Sequence, residues 1–367
     1  MVTKVDVGRL QSVSNRLGEA VLDPAMWPLL MEEICSATGA FGAGLLQSDV
    51  RTPDVPMTPS MKEYFKAYFN DHYDVNDVRA MRGVPLLMAG CSVVSDQDIF
   101  SSETEMLRDP LYAHLDSYGL RWFAAVGFFA GSALWGLSLQ RTAHDGAFEQ
   151  SEKLALAELS RRLTETATLG RAVGMAVLSN ITNALDFIKK AAISLDRFGA
   201  VIDTNACAEA IFDDDVYVMN RRLVIRNWRT RTAFDDLLNQ LGATADIAPL
   251  GVPPIVIRRA QKRPIVIRVL PVDDAARSPF LGARAILILS DFDEAEEVQR
   301  NVLCQAFRLT PSEAGIAVFL ARGKSLEEAA SELGIALETA RSHLKSTFHK
   351  TKTHRQGELV ALVCRLR

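Results

Sequence analysis

The chain has 367 residues, 48% of them hydrophobic and 23% charged, with a formal net charge of −4. That composition is globular and excludes a disordered or fibrous chain, and the length calls for about two or three domains. The N-terminal stretch MVTKVDVGRLQSVSNRL lacks the apolar core of a secretory signal, and five scattered cysteines form no CxxC pair, so a cytoplasmic protein with reduced thiols is expected rather than a disulfide framework or a zinc site.

Residues 1–150 alternate helical and strand-like patterns. Asp23-Pro24 and Thr58-Pro59 each read as a helix cap followed by a first-turn proline, so helices are expected to open there. Between them, FGAGLLQ at 41–47 reads as a short buried strand. The run WFAAVGFFAGSALWGLSL at 122–139 carries no charge over 18 positions, near the lower limit for a membrane-spanning helix. Ala130-Gly131-Ser132 interrupts it between two runs rich in Phe, Val, Trp and Leu, which predicts a buried hairpin instead. An α+β sensory domain over 1–150, with no membrane segment, is the resulting expectation.

From Glu149 to Lys190 there is no proline, and Leu159, Leu163, Thr166, Gly170, Val173, Val177, Ile181, Leu185 and Ile188 recur at intervals of three or four. This predicts a connecting helix over 151–190 that either packs against its own domain or pairs with a second copy of the chain. Residues 191–291 then read as a second small α+β domain. AISLDRFGAVIDTNACAEAIF suggests strand, turn and short helix, IVIRRAQKRPIVIRVLPV suggests a hairpin with one wet face, and ARAILILSD suggests a buried strand. DFDEAEE at 291–297 holds five acids and no base and opens a solvated linker over 292–303.

The last segment, 304–367, reads as an all-α module of four helices. Leu309-Thr310-Pro311-Ser312-Glu313 is a capping box with a first-turn proline, and Ser325-Leu326-Glu327-Glu328 is a second box directly after Gly323-Lys324. A further helix begins two residues after Gly334. From Thr339 to Arg355 it carries five Lys or Arg, three His and no acid, in a chain that is acidic overall. On its wheel Ala340, Leu344, Thr347 and Phe348 share one side. Glu338, Ser342, Lys345, Ser346 and His349 share the other, with Arg341 and His343 at the flanks. This is the pattern of a helix-turn-helix, whose outer helix offers long donors and small hydroxyls to a DNA groove.

The run 309–362 resembles the DNA-binding domain of LuxR-type transcriptional regulators. The match runs through Leu309, Thr310, Glu313, Gly323, Ser325, Ala329, Leu333, Ile335, Thr339, Arg341, His343 and Lys350. Two positions depart from that family's pattern: Ala336 stands where a capping Ser is usual, and Lys352 where a Gly is usual. The resemblance, together with the wheel, implies that Glu338, Arg341, Ser342 and Lys345 face bases. Ser325, Thr339, His343, Lys350, Lys352 and Arg355 would then hold phosphates. Such regulators commonly carry N-terminal sensory domains, and the order here looks GAF-like, then PAS-like. Tyr64-x3-Tyr68-x8-Asp77 is similar to the Trp-x3-Tyr-x8-Asp-Pro of autoinducer-binding relatives, with Tyr64 in place of the Trp and Val78 in place of the Pro. By that similarity Tyr64, Tyr68, Asp77 and Trp122 are ligand candidates; the alternative is that these aromatics are core. Asn205 and Ala208 stand where PAS sequences often have Asn and Ala.

Residues 191–291 contain no histidine, which rules out a His-ligated haem there. No GxSxG, HExxH, GxGxxG or complete P-loop occurs, and Gly323-Lys324-Ser325 lacks the P-loop's first glycine because Val318 occupies its place. A non-enzymatic protein without cofactor or metal is therefore expected. The combined reading is a homodimeric transcription factor that binds double-stranded DNA under control of a small-molecule ligand or a partner sensed by its N-terminal domains. The competing reading has the same module dock a protein, such as an RNA polymerase surface, in place of DNA.

Overall fold

The computed structural model describes residues 5–48, 52, 55–243, 253–272, 274–293 and 300–365. Over these residues the protein is mixed α+β, with three antiparallel sheets followed by a purely helical region, and the chain divides into two compact units, Met1–Asp291 and Phe292–Arg367. Most of the acidic run expected as a linker, 294–299, lies outside the described residues.

The first unit opens with helices α1 (Val7–Arg16), α2 (Glu19–Leu22) and α3 (Trp27–Thr38), strand β1 (Gly42–Gln47), and helices α4 (Lys62–Asn70) and α5 (Val78–Met88). Strand β2 (Val93–Ser95), short helices α6 (Asp96–Ile99), α7 (Glu103–Met106) and α8 (Pro110–Ser117), and strands β3 (Leu120–Ala130) and β4 (Ala133–Thr142) follow. The four strands form one sheet in the order β1-β4-β3-β2. The uncharged run 122–139 is the β3–β4 hairpin, turning at Gly131 with φ +65°. Its hydrophobicity follows from burial on both faces. Ala124, Val126, Phe128, Trp135 and Leu137 pack towards α1, α3 and the long helix below, while Leu134 and Leu120 join Tyr64, Phe65, Tyr68 and Leu115 on the other side. No helix among the described residues is long and apolar enough to cross a membrane.

The helices expected at Asp23-Pro24 and Thr58-Pro59 open as 3-10 turns, Pro24–Met26 and Pro59–Met61, before α3 and α4 begin. Asp23 caps as expected, accepting from the Ala25 N–H at 3.0 Å. The Thr58 hydroxyl does not cap; it accepts from the Ala43 N–H of β1 at 3.0 Å and so ties the turn to the sheet.

Helix α9 (Gln150–Phe187) runs for 38 residues behind a capping box of Glu149 and Glu152. Its buried line passes through Leu159, Leu163, Thr166 and Gly170 as expected, then continues through Gly174, Leu178 and Thr182. The expected continuation through Val173, Val177 and Ile181 is displaced by one position. From Gly170 on the buried positions are spaced by four, wider than the 3.6 residues of a helical turn, so the contact line itself moves round the helix as α9 passes from the first sheet to the segment that follows. Along its buried line α9 packs within its own unit, against α2, β3, and the first strand and a 3-10 turn of the segment that follows. Leu169, Ile181, Phe187 and Ile188 face outwards, Phe187 at 88% exposure.

That segment contains β5 (Ala191–Asp196), β6 (Val201–Thr204), α10 (Ala206–Ile211), the hairpin β7 (Val216–Met219) and β8 (Arg222–Ile225), and α11 (Trp228–Ala243). It ends with β9 (Ile255–Ile257), β10 (Ile265–Pro271), a 3-10 turn (Asp274–Arg277) and β11 (Ala283–Asp291). Five of the strands form a sheet ordered β6-β5-β11-β10-β9. Asn205 joins three elements. Its side-chain oxygen accepts from the Ala208 N–H at the start of α10 and from the Ala192 N–H of β5, while its amide donates to the Lys190 carbonyl at 2.8 Å and to the Thr182 carbonyl of α9. Phe280 reaches from the loop before β11 into the core of the first sheet, edge-on to Trp27, Phe128 and Trp135.

Gly174 lets α9 approach the backbone of this segment: a Cβ there would stand 2.8 Å from the Ala275 carbonyl oxygen. Gly174→Ala is accordingly expected to destabilise the first unit by about 1–3 kcal/mol through forced displacement of backbone, seen as a lower urea midpoint of the full chain. An unchanged midpoint would mean the contact is looser than described.

The second unit consists of α12 (Arg300–Phe307), α13 (Pro311–Ala321), α14 (Leu326–Glu332), α15 (Leu337–Thr351) and α16 (Gln356–Cys364). Four helices were expected; a fifth precedes them, because residues 300–303, assigned to the linker, already begin α12. The reason is hydrophobic: Leu303 is buried against Leu309, Ile316, Leu320, Ala340, Leu359 and Val363 in one core.

Candidate nucleic-acid interface and ligand cluster

The interface is built around α13, whose residues from Glu313 to Leu320 are all buried. Its start is fixed by the Thr310–Glu313 capping box with Pro311 in the first turn, and the Ser325–Glu328 box starts α14 in the same way. Gly334, at φ +67°, lets the chain leave α14 and enter α15 within two residues, a backbone conformation that a side chain disfavours. Helix α15 presses Ala340 and Thr347 inwards, with Leu344 and Phe348 half-buried against the core.

The remaining side of α15 is open. Glu338, Thr339, Arg341, Ser342, Lys345 and His349 are exposed along it, so the four base-facing candidates lie together on one helix face. Arg341 and Glu338 form an exposed ion pair at 2.5 Å, worth little in water and free to rearrange. Of the phosphate candidates, Thr339, Lys352 and Arg355 are exposed and His343 is half-buried. Ser325 is exposed but its hydroxyl already accepts from the Glu328 N–H as the cap of α14. Lys352 ends α15 in the left-handed region at φ +54°, where the resembled family's glycine would carry no strain.

Lys350 departs most from expectation. Its ammonium lies 2.7 Å from a carboxylate oxygen of Glu313, a residue only 3% exposed. Glu313 also accepts from the Ser346 hydroxyl at 2.6 Å and from the Thr310 N–H at 2.7 Å, so Ser346 belongs to the α13–α15 contact and not to the outer face. Burial opposes the charge on Glu313, but the Lys350, Ser346 and Thr310 donors outweigh it and lower the carboxyl to about 2. The sequence pattern showed the capping role alone; the clamp to α15 depends on a helix crossing that no local pattern encodes.

Ala336 occupies the cap of α15 and makes no side-chain cap hydrogen bond. Ala336→Ser is expected to stabilise the second unit by about 1 kcal/mol, raising its denaturant midpoint without changing the slope.

The ligand candidates of the first unit are brought together only in part. The Tyr68 hydroxyl donates to Asp77 at 2.8 Å, and Asp77 caps α5 by accepting from the N–H groups of Arg79 and Ala80. The Tyr64 hydroxyl accepts from the Arg79 guanidinium at 3.0 Å. Trp122 packs at the edge of the same aromatic cluster. Arg79, which no motif singled out, is therefore the centre of the group. A sequence signal existed: it is an arginine two positions after the cap, ahead of the apolar end of VRAMRGVPLLM. Close by, burial pushes the Asp96 carboxyl up to about 6 despite hydrogen bonds from the Tyr112 hydroxyl and the Phe123 N–H.

No family model matches the sequence, and no curated protein matches it. Among solved structures, that of the phage VqmA–DPO complex shares 16% identity, over 52% of this chain and 89% of that one, with a TM-score of 0.21. The complex of E. coli DhaR(N) with DhaL shares 13% identity, over 77% of this chain and 87% of that one, with a TM-score of 0.23. At these TM-scores neither similarity bears on the function of this chain.

Proposed function

We propose that the protein is a sequence-specific DNA-binding transcriptional regulator, acting as a homodimer under control of a small molecule. The observation that carries this reading is the outer face of α15. Glu338, Arg341, Ser342 and Lys345 stand exposed on one side of a helix whose other side is anchored in the core, in a basic stretch of an otherwise acidic chain. A rigid helix with long donors beside small hydroxyls suits the major groove, and the acidic remainder limits indiscriminate attachment to DNA. In a dimer, two such helices about 34 Å apart would read a pseudo-palindromic site. The outward Leu169, Ile181 and Phe187 of α9, with Ile188 at its C-terminal end, support pairing with a second copy. A GAF-like first domain over 1–150 and a PAS-like domain over 191–291, joined by the helix over 151–190, fit a sensory role by their α+β make-up. The arrangement of Asn205 and Ala208 at the start of α10 is in keeping with the PAS-like reading.

Lys352 supplies a test that separates phosphate contact from base reading. Lys352→Ala is expected to reduce the slope of log affinity against log salt by about one while leaving the ranking of DNA sequences unchanged. A module that docks a protein surface instead would show no steep salt dependence on double-stranded DNA.

A further inference from the structure

Strand β9 is the outermost strand of the second sheet, and α11 packs beside it. On the inner side Phe234, Leu237 and Leu241 of the helix join Ile255 and Ile257 of the strand in the core. On the outer side a groove of about 660 Å³ opens between the two elements. Its walls carry Trp228, Arg229, Ala233 and Asp236 from α11, Val256 from β9 and Arg258 just past the strand. Ala233 is too short to fill the gap. The volume is within the roughly 300–1,000 Å³ of small-molecule sites.

The chemistry of the walls is specific. Trp228 is 69% exposed and Val256 45%. An indole face open to water is a platform on which a planar ring can stack. Arg229 holds its guanidinium 5.3 Å from the Trp228 ring centre. Buried and exposed residues alternate from Ile255 to Arg259, so the two neighbouring arginines part company. Arg259 turns inwards and pairs with Asp213 and Asp291, while Arg258 stands exposed. Among the described residues neither Arg229 nor Arg258 has an acidic partner.

The two arginines share one end of the groove. The Thr230 hydroxyl in the first turn of α11 donates to the Val256 carbonyl at 3.0 Å. Asp215 accepts from the Ala260 N–H at its carboxylate and from the Arg226 N–H at its backbone carbonyl, which sets the chain past Arg258 beside the start of α11. Asp236 follows Arg229 by seven residues, about 10 Å along the helix, and so lies towards the other end.

We propose that this groove binds a planar aromatic anion, its ring stacked on Trp228 and its charged group held between Arg229 and Arg258. Guanidinium groups suit carboxylate and phosphate alike, and an anion placed there is kept away from Asp236. That the ligand acts as an effector rests on the sensory part of the function proposed above; its binding does not rest on that reading or on DNA binding.

The test is isothermal titration calorimetry of the full chain with two anions and their neutral counterparts: adenosine monophosphate against adenosine, and naphthoate against naphthalenemethanol. At least one anion is expected to bind saturably with a Kd on the order of 0.1–1 mM, and its neutral counterpart at least about tenfold more weakly. Which anion binds tells phosphate from carboxylate. Trp228→Ala and Arg258→Gln should each weaken that anion about tenfold, with circular dichroism unchanged because both side chains are exposed. Arg108→Gln, at an exposed position outside the groove, should leave binding as it was. Four results would overturn the proposal: no saturable binding of either anion, neutral compounds binding as tightly, undiminished binding by Trp228→Ala or Arg258→Gln, or an equal loss in Arg108→Gln. DNA binding of the same wild-type sample keeps the two readings apart. DNA binding without anion binding refutes the groove alone, and anion binding without DNA binding supports it while refuting the regulator.

Discussion

Exchanging Glu313 for glutamine is expected to destabilise the helical unit by about 3 kcal/mol, the range for breaking a buried, hydrogen-bonded ion pair. The carboxylate joins the start of α13 to two positions of α15, Ser346 and Lys350, and glutamine can accept at one oxygen only. Its amide nitrogen would also meet the Lys350 ammonium, donor against donor. The pH dependence follows from the direction of the shift. The folded carboxyl is held at about 2, below its ordinary 4.5, so its stabilisation is present in full above pH 4.5 and is lost as pH falls from there through 2. Amide exchange of α13 and α15 in the full chain would measure both effects. Wild-type protection should fall with pH through that window, and the glutamine variant should start low and lose less. A variant within about 0.5 kcal/mol of the wild type would mean that Glu313 does not clamp α13 to α15.

Arg341→Ala and Lys345→Ala are each expected to weaken binding to a specific DNA site by about 1–3 kcal/mol, roughly 5- to 150-fold, with fold stability changed by no more than about 0.5 kcal/mol. Both side chains are exposed, and the ion pair of Arg341 with Glu338 is itself solvent-exposed. The contrast with Glu313 separates two roles on one helix pair: an inner clamp that sets how α15 crosses α13, and an outer face that costs the fold nothing. Loss of sequence preference at particular base positions, rather than a uniform loss, would identify the base-facing member of the pair.

The helical unit was legible because its signals are local. Two capping boxes, a first-turn proline and glycines at 323 and 334 mark helix ends through contacts within four residues, and all of them act as ends. The hairpin at 122–139 was legible for a similar reason, since a glycine turn between two apolar runs needs no distant partner to be read. What escaped is what depends on partners remote in sequence. Arg79 of α5 meets Gln140 of β4 and Tyr64 of α4, and Glu313 meets Lys350 over a separation of 37 residues. The phosphate role for Lys350 came from the family resemblance, which says nothing of a buried acid at its flank. The stripe of α9 failed because its contact line shifts round the helix where α9 passes from the first sheet to the following segment, at Gly174, where a Cβ would meet backbone.

The most direct test of the central claim is fluorescence anisotropy of the full-length protein against DNA fragments from upstream of its own coding region, over a salt series, with Lys345→Ala alongside. Binding is expected to concentrate on a few fragments, with affinity falling linearly in log salt at a slope of about −0.9 per phosphate contacted and that preference lost in the variant. Binding that is equal on all fragments and unchanged in Lys345→Ala would contradict a groove-reading α15.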